Sequence, residues 1–268
     1  MDTMIYIGKL GTKFPALEWL ARPIYLKYFG RPYDGNGYYG LYRSRAEAEA
    51  AAPATMLHTY DQPAATGKYQ SEKLRASDYP VVYWLSRLFG KGNGKIFDLG
   101  GHLGQAYYGF SHYLQYPEGL EWRVQDVPAV VAAGRQRALA HDAEKRLQFT
   151  TDFTDADGCD VLITTGALQY LEASLPEMLH GLAVKPAHVL VNMVPMHPQL
   201  DYFTLQNMGI AICPYRVMWL TDFVKGMLAL GYEQVDHWEL PERRLQVPFE
   251  PSGTIDCYHG FYFRRIGS

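Results

Sequence analysis

The sequence predicts an α/β fold in which a mainly parallel sheet of seven strands is joined to an N-terminal helical cap. Residues 95–104 contain a short apolar run, a glycine-rich turn and the start of a helix. From Ile96 to Val194, apolar runs of strand length alternate with helical patterns, which is typical of a parallel sheet with helical crossovers. Residues 232–239 and 260–265 alternate like strands, and we expect them to close the sheet as an antiparallel pair.

Composition excludes several classes of protein. The chain has 268 residues, enough for a large core, and a net charge of −3, so we expect no nucleic-acid partner. Its three cysteines have neither disulfide nor metal spacing, which predicts a reducing cytoplasm and no metal. The sequence shows no charged-then-apolar leader pattern and no apolar run long enough to span a membrane, so we expect no membrane partner. We expect a small-molecule ligand, and a homodimer is possible.

The N-terminal region differs from the rest, and we predict a helical cap over residues 1–90 ahead of a ligand-binding domain over residues 91–268. Apolar spacing predicts helices at 16–28 and 77–89. Ser44 and Glu47 form the Ser-x-x-Glu pattern of a capping box before an alanine-rich helix. Residues 32–40 are rich in glycine and tyrosine, and we expect a loop there.

The remaining elements follow in order. We predict strands at residues 95–99, 120–125, 147–150, 161–165 and 188–194, and helices at 105–115, 128–141, 175–181 and 219–230. Pro195 and Pro198 indicate a loop after the fifth strand of this series.

The glycine turn is the first candidate for ligand binding. Gly100 and Gly101 can adopt positive φ and let the backbone approach a ligand, while Gly104 lets the next helix pack on the strand. Asp98, at the end of the strand and two residues before Gly100, could meet an amine or a hydroxyl. The turn lacks the Gly-Lys-Ser/Thr ending of a phosphate loop, and His102 replaces the second glycine of G-x-G-x-x-G.

Acidic and aromatic residues follow the next two strands. Asp126 is placed to accept hydrogen bonds from a ribose diol, although an acid before Pro128 also suits a helix N-cap. Thr151, Asp152 and Phe153 could hold an adenine ring. A capped turn with a core aromatic residue is the alternative for these three.

The loop after the strand at 161–165 borders the position of a reacting atom in such sheets. It contains Thr165, Gly166, Gln169 and Tyr170. Gly166 could instead serve only as a turn, and the apolar residues of this loop only as core.

Several of these segments resemble class I S-adenosylmethionine (SAM) methyltransferases. Residues 96–101 resemble their first motif, residues 125–131 their Asp-Leu-Pro motif, and residues 151–153 their Gly-Asp-Phe segment. A narrower group of bacterial small-molecule and sugar methyltransferases is similar over residues 97–102, 165–171, 214–216 and 230–236. The resemblance implies a Rossmann-like, seven-stranded class I methyltransferase sheet that binds SAM without a metal.

The same resemblance implies a set of residues that bind the cofactor. They are Asp98, Gly100, Gly101, His102, Gly104, Gln125, Asp126, Val127, Thr151, Asp152, Phe153, Thr165 and Gly166. With His102 in place of glycine, we expect the turn to follow a different path near the methionine end of SAM.

The catalytic residues are predicted less directly. Many O-methyltransferases place a histidine base where this chain has Gln169, and an amide cannot take a proton from a hydroxyl. His197 could substitute as the base. Tyr170, Asn192 and Tyr69 complete the predicted catalytic set.

Three functions follow from the resemblance. The first is methyl transfer from SAM to a small metabolite or sugar. The second is cyclisation of SAM to azetidine-2-carboxylate and methylthioadenosine, an activity of enzymes that this group also resembles. It needs no acceptor, and it suits the missing base and a tyrosine-rich cap that could hold a sulfonium. The cap tyrosines are Tyr33, Tyr38, Tyr39, Tyr60 and Tyr69. The third function is SAM binding without turnover.

Overall fold

A computed structural model describes residues 3–32, 35–67 and 71–267. The helices are α1 (Thr3–Lys13), α2 (Glu18–Phe29), α3 (Arg45–Ala51), α4 (Tyr79–Phe89), α5 (Gln105–Phe110), α6 (Pro128–His141), α7 (Leu175–His180) and α8 (Leu220–Ala229). The strands are β1 (Gly37–Tyr42), β2 (Lys95–Leu99), β3 (Glu121–Gln125), β4 (Leu147–Thr150), β5 (Val161–Thr165), β6 (His188–His197), β7 (Tyr202–Asn207), β8 (Ile212–Trp219), β9 (Tyr232–Leu240) and β10 (Tyr258–Arg265).

The chain divides into two compact units. The first contains the described residues up to Tyr60, with Pro195–Thr221 and Pro241–Tyr258. The second contains those from Asp61 to Val194, with Asp222–Leu240 and His259 onward. Among the described helices, none has the length and apolar character that a membrane span requires.

The second unit contains the predicted α/β sheet. Its strands lie in the order β4-β3-β2-β5-β6, and β10 pairs with β6 and with β9. The first five strands are parallel, with Asp98 of β2 beside Val124 of β3 and Ile163 of β5. These strands confirm the predicted α/β fold class and the pairing of β9 with β10, but the described sheet has ten strands rather than the predicted seven.

One face of this sheet is covered by α4 and α5. Trp122 and Val124 of β3 are fully buried against an apolar cluster that includes Leu85 of α4 and Phe110 of α5. Such burial supplies the main stabilisation of a parallel sheet, at roughly 1.5–3 kcal/mol for each large side chain. Helix α5 is shorter than predicted and ends at Phe110.

The first unit contains strands that no sequence pattern predicted. In its sheet, β1 and β8 both pair antiparallel with β7, and β8 runs parallel to the last residues of β6. Helix α2 buries Tyr25 and Phe29 against Phe203 and Leu205 of β7. The N-terminal region is therefore not wholly helical, and part of its predicted glycine/tyrosine loop is β1.

The loop predicted from Pro195 and Pro198 begins only at Pro198, so its predicted start at Pro195 is wrong. Strand β6 continues through Pro195 to His197, and β7 and β8 follow. All six residues of β7 are buried, so this strand lacks the alternation of apolar and polar residues that identifies a half-exposed strand. Pro195 and Pro214 lie inside strands, where proline ordinarily indicates a break.

Candidate ligand site at the carboxyl ends of the strands

The strand order of the second unit defines where a ligand can enter. The chain moves outward in one direction from β2 to β3 and β4, and in the other from β5 to β6. Ligands of open α/β sheets bind at the carboxyl ends of the strands where the order reverses. This point lies between β2 and β5, so the turns that begin at Gly100 and Gly166 flank it.

These two turns lie in contact. Gly100 has a φ of +71°, and a Cβ on it would lie 2.2 Å from the Cβ of Ala167. Gly104 has a φ of +82°, and a Cβ there would lie 2.8 Å from Leu147 of β4. Both positions therefore exclude a side chain by conformation and by space.

Asp98 lies beneath the glycine turn. It is 2% exposed, its Oδ2 accepts a hydrogen bond from Trp122 Nε1 at 3.2 Å, and a Cβ on Gly101 would meet its carboxyl group at 2.4 Å. Burial raises the pKa of Asp98 to about 7, the Trp122 hydrogen bond opposes the shift, and the charge of Asp126 adds to it. This geometry gives Asp98 a part in fixing the turn, and its contact with a ligand amine stays a prediction.

Asp126 lies directly after β3 and beside the turn. Its Oδ2 accepts from the His102 backbone N–H at 2.9 Å, and its Oδ1 accepts from Val127 N–H at 2.8 Å. Burial raises its pKa, while these two hydrogen bonds lower it. Each oxygen of an ionised carboxylate has two acceptor positions, so both oxygens can still accept from a hydroxyl. Val127, rather than Asp126, is the N-cap residue of the helix that begins at Pro128, and the N–H of Val127 lies before that helix. The helix-cap alternative for Asp126 is therefore wrong, and its ribose role stays a prediction.

His102 keeps the backbone conformation of a glycine. Its φ is +54°, in the left-handed region, where a residue other than glycine is strained by about 1–2 kcal/mol. The ring is buried, with Nε2 3.0 Å from the Ala65 carbonyl oxygen and Nδ1 3.2 Å from Gln105 Oε1. Compared with a turn that has glycine at this position, the difference is therefore the imidazole side chain and not the backbone conformation.

The predicted adenine-binding residues lie at the end of β4. Gln125 Nε2 is 3.5 Å from the Thr151 carbonyl oxygen, and Phe153 packs edge-on against Phe97 with ring centroids 5.7 Å apart. Asp152 is exposed and accepts from Thr154 N–H at 2.8 Å, which lowers its pKa. Asp152 therefore caps the 3₁₀ turn Phe153–Ala156, and its adenine contact stays a prediction.

The loop after β5 contains a hydrogen bond between two of its own residues. Gln169 is 4% exposed, and its Nε2 donates to the Gly166 carbonyl oxygen at 2.8 Å. Gly166 has a φ of +74° and its N–H donates to the Asn192 carbonyl oxygen at 2.9 Å. Thr165 and Tyr170 are partly buried on either side of this turn. Gln169 thus orders the loop that faces the glycine turn.

Two predicted catalytic residues have their polar atoms engaged elsewhere. Asn192 is fully buried, donates to the Ser77 carbonyl oxygen at 3.0 Å and accepts from Trp238 Nε1 at 3.1 Å. His197 belongs to the first unit, where its Nδ1 accepts from the backbone N–H groups of Gln199 and Leu200 at 3.1 and 2.9 Å.

Burial lowers the pKa of His197, and a hydrogen bond to the Ser252 backbone opposes that shift. The lone pair of Nδ1 is already used, so the ring has little capacity to take a proton from a substrate.

The predicted cap tyrosines have separate outcomes. Tyr69 and Tyr33 lie outside the described residues. Tyr38 and Tyr39 lie on β1, where Tyr38 Oη accepts from Gln206 Nε2 and Tyr39 packs on Tyr25 within the first unit.

Three further residues of this region make contacts that the sequence did not predict. Trp122 binds the Asp98 carboxylate, Ala65 offers its carbonyl oxygen to His102, and Asp61 accepts from Ala129 N–H at 2.9 Å. A tryptophan in a β-strand ordinarily indicates core, and the other two contacts join residues 37 and 68 positions apart. No local pattern could have found them.

No protein-family model and no curated protein matches the sequence significantly. The solved structures that resemble the chain include several methyltransferases. The CcbJ methyltransferase from Streptomyces caelestis is 14% identical, with a TM-score of 0.48 over 78% of this chain and 98% of its own. The 1,6-didemethyltoxoflavin-N1-methyltransferase of Burkholderia thailandensis is 16% identical, with a TM-score of 0.45 over 71% and 78%. The glycopeptide N-methyltransferase MtfA, solved with SAM, is 12% identical, with a TM-score of 0.46 over 74% and 98%. At these values the likeness carries no conclusion about ligand or reaction.

Proposed function

We propose that the protein binds SAM at the carboxyl ends of β2, β3 and β4 and transfers its methyl group to a small molecule. The observation that carries the proposal is the carboxylate of Asp126. It lies beside a glycine turn at the point of strand reversal, and both of its oxygens retain an acceptor position. Two acceptor positions on one carboxylate suit the two hydroxyl donors of a ribose.

The surrounding residues fit a nucleoside of this kind. Gly100 and Gly101 keep side chains away from the turn, so that the backbone can approach a ligand. Val127 and His102 hold the Asp126 carboxylate through their backbone N–H groups, which fixes its orientation before a ligand arrives. Phe153 and Asp152 at the end of β4 would face the adenine.

Bound SAM would supply an electrophilic methyl carbon on a sulfonium. Methyl transfer then also requires an acceptor atom with a free lone pair. Gln169 cannot remove a proton, and the Nδ1 lone pair of His197 is occupied. Without these bases, a neutral amine or an acceptor that is already ionised is a better nucleophile than a neutral hydroxyl. We therefore place amine acceptors ahead of sugar hydroxyls.

The same absence of a base favours a second candidate, the cyclisation of SAM. There the α-amine of SAM attacks the γ-carbon, the bond from that carbon to sulfur breaks, and methylthioadenosine leaves. The amine must be neutral for this attack. Its lost proton would pass to water, since neither Gln169 nor His197 is free to accept it.

The test is mass spectrometry of the purified protein with SAM, first alone and then with a panel of amines and hydroxyl compounds. S-adenosylhomocysteine that forms only with an acceptor supports methyl transfer, and methylthioadenosine from SAM alone supports cyclisation. Calorimetric binding of SAM without either product would indicate a binding protein. No binding of SAM or S-adenosylhomocysteine would overturn the proposal.

A further inference from the structure

A short segment of the second unit is hydrogen bonded both to the glycine turn and to the first turn of α6. We call residues 61–67 the strap; it contains the 3₁₀ helix Pro63–Gly67. At one end, Asp61 Oδ1 accepts from the backbone N–H of Ala129 in the first turn of α6, at 2.9 Å. Further along, the carbonyl oxygen of Ala65 lies 3.0 Å from His102 Nε2. Because a carbonyl can only accept, Nε2 carries the hydrogen.

The two attachment points, His102 and Ala129, lie before and after Asp126 in the sequence. His102 belongs to the turn after β2 and gives its backbone N–H to Asp126, while Ala129 follows Asp126 by three residues. Ala65 is fully buried, so the middle of the strap is packed as well as hydrogen bonded. The strap is therefore held next to the carboxylate that we propose for the ribose.

His102 is the residue that makes this attachment possible. A glycine at this position would relieve the left-handed backbone, but it would leave the Ala65 carbonyl without its ring donor. A strained residue that persists in a turn is a sign that its side chain does something that the strain-free residue cannot do.

We propose that His102 is a positioning residue that sets the strap as a wall of the nucleoside site. The wall faces the adenosine part of SAM, so its position affects every ligand that carries this nucleoside. The inference rests on the proposed function in one respect, namely that Asp126 binds the ribose.

The test uses two matched pairs of variants. His102→Gly and His102→Asn both tolerate the left-handed conformation, but neither side chain reaches Ala65. Asp61→Ala removes the acceptor for Ala129, whereas Asp61→Asn keeps an amide oxygen there. Hydrogen exchange over the strap and calorimetric affinities for SAM and methylthioadenosine are measured for each variant.

We expect both His102 variants and Asp61→Ala to exchange faster in the strap, and Asp61→Asn to resemble the wild type. The loss of one such hydrogen bond should weaken SAM and methylthioadenosine by the same factor, about tenfold. An equal loss for the two ligands is the decisive result, because both carry the nucleoside that the strap would contact. Exchange in β3 and β5 is the control for folding, since a general loss of folding would speed exchange there as well.

Unchanged strap exchange in His102→Gly, or a loss of SAM affinity without the matching loss for methylthioadenosine, would overturn the inference. If the wild type binds neither compound, the proposed function fails. In that case the exchange data on the free protein still decide whether His102 positions the strap.

Discussion

The glycine turns after β2 and β5 meet at the same point of the sheet, but their polar side chains are held in different ways. In the turn after β2, Asp98 is bound by Trp122 and His102 reaches Ala65, both on other segments. In the turn after β5, Gln169 binds the carbonyl of Gly166 in its own loop. The polar side chains of the first turn are therefore held by other segments, whereas Gln169 of the second turn is held within its own loop. Changes in the first turn should therefore alter distant properties, such as ligand affinity and pH dependence, whereas changes in the second should remain local.

The largest effect is expected from Asp98→Asn. A buried carboxyl whose pKa rises from 3.8 to about 7 binds its proton more tightly in the folded state. Its contribution to stability is present at low pH and is lost as pH rises from about 4 through 7. At pH 8 the cost of the buried charge reaches roughly 4 kcal/mol, which the asparagine avoids.

Urea unfolding at several pH values measures this difference. The wild type should lose stability relative to Asp98→Asn between pH 4 and pH 7, and the gap should stay constant above pH 8. Parallel pH profiles for the two proteins would show that Asp98 is not held with a raised pKa.

The contact between the turns is tested by Gly100→Ala, with Gly158→Ala as its control. Both glycines have a φ of +71°, but a Cβ at 158 meets nothing within 4 Å, whereas at 100 it meets Ala167. We expect a loss of about 1 kcal/mol at 158, from the backbone alone, and about 3 kcal/mol at 100, where overpacking adds to it.

The double variant Gly100→Ala, Ala167→Gly identifies the source of the difference. Removal of the Ala167 methyl should recover about half of the loss, measured as the free energy of unfolding in urea. Equal losses at 100 and 158 would mean that the two turns are not in contact.

Ligand affinity is tested by Asp126→Ala. Hydrogen bonds to an ionised acceptor contribute about 1.5–3 kcal/mol, so the affinity for SAM should fall by about a hundredfold. Glu233→Ala is the control, because the Glu233 carboxylate accepts from Arg264 at the amino-terminal edge of the sheet, away from the glycine turn. We expect less than a threefold change for it, by calorimetry, and similar losses for the two variants would remove the ribose role from Asp126.

Prolines and glycines at the ends of helices and strands allowed those elements to be predicted. Contacts between residues far apart in the sequence could not be predicted in this way. Helix α6 and strands β4 and β5 have the predicted bounds because Pro128 opens the helix and the turn at Gly158 precedes β5. Asp126 and the glycine turn follow strands, so their shared edge of the sheet could be predicted from the order of elements.

The first unit and the supports of the site were less predictable. Strand β7 is buried on both faces and β8 over most of its length, so they lack a periodic pattern, and Pro214 inside β8 suggests a break. The hydrogen bonds of Trp122 to Asp98 and of His102 to Ala65 depend on tertiary packing, which no short pattern encodes.

The smallest effect is expected from Gln169→Met, which keeps the size of the side chain but cannot donate to Gly166. The lost hydrogen bond costs about 1 kcal/mol, so turnover should fall by about threefold to tenfold while the affinity for SAM stays within twofold. Because neither an amide nor a thioether titrates, the pH profile of turnover should keep its shape. A shift in that profile, or a loss of SAM affinity as large as that of Asp126→Ala, would show that the second turn is coupled to the first. The closed loop after β5 would then be part of the nucleoside site, and the distinction between the two turns would fail.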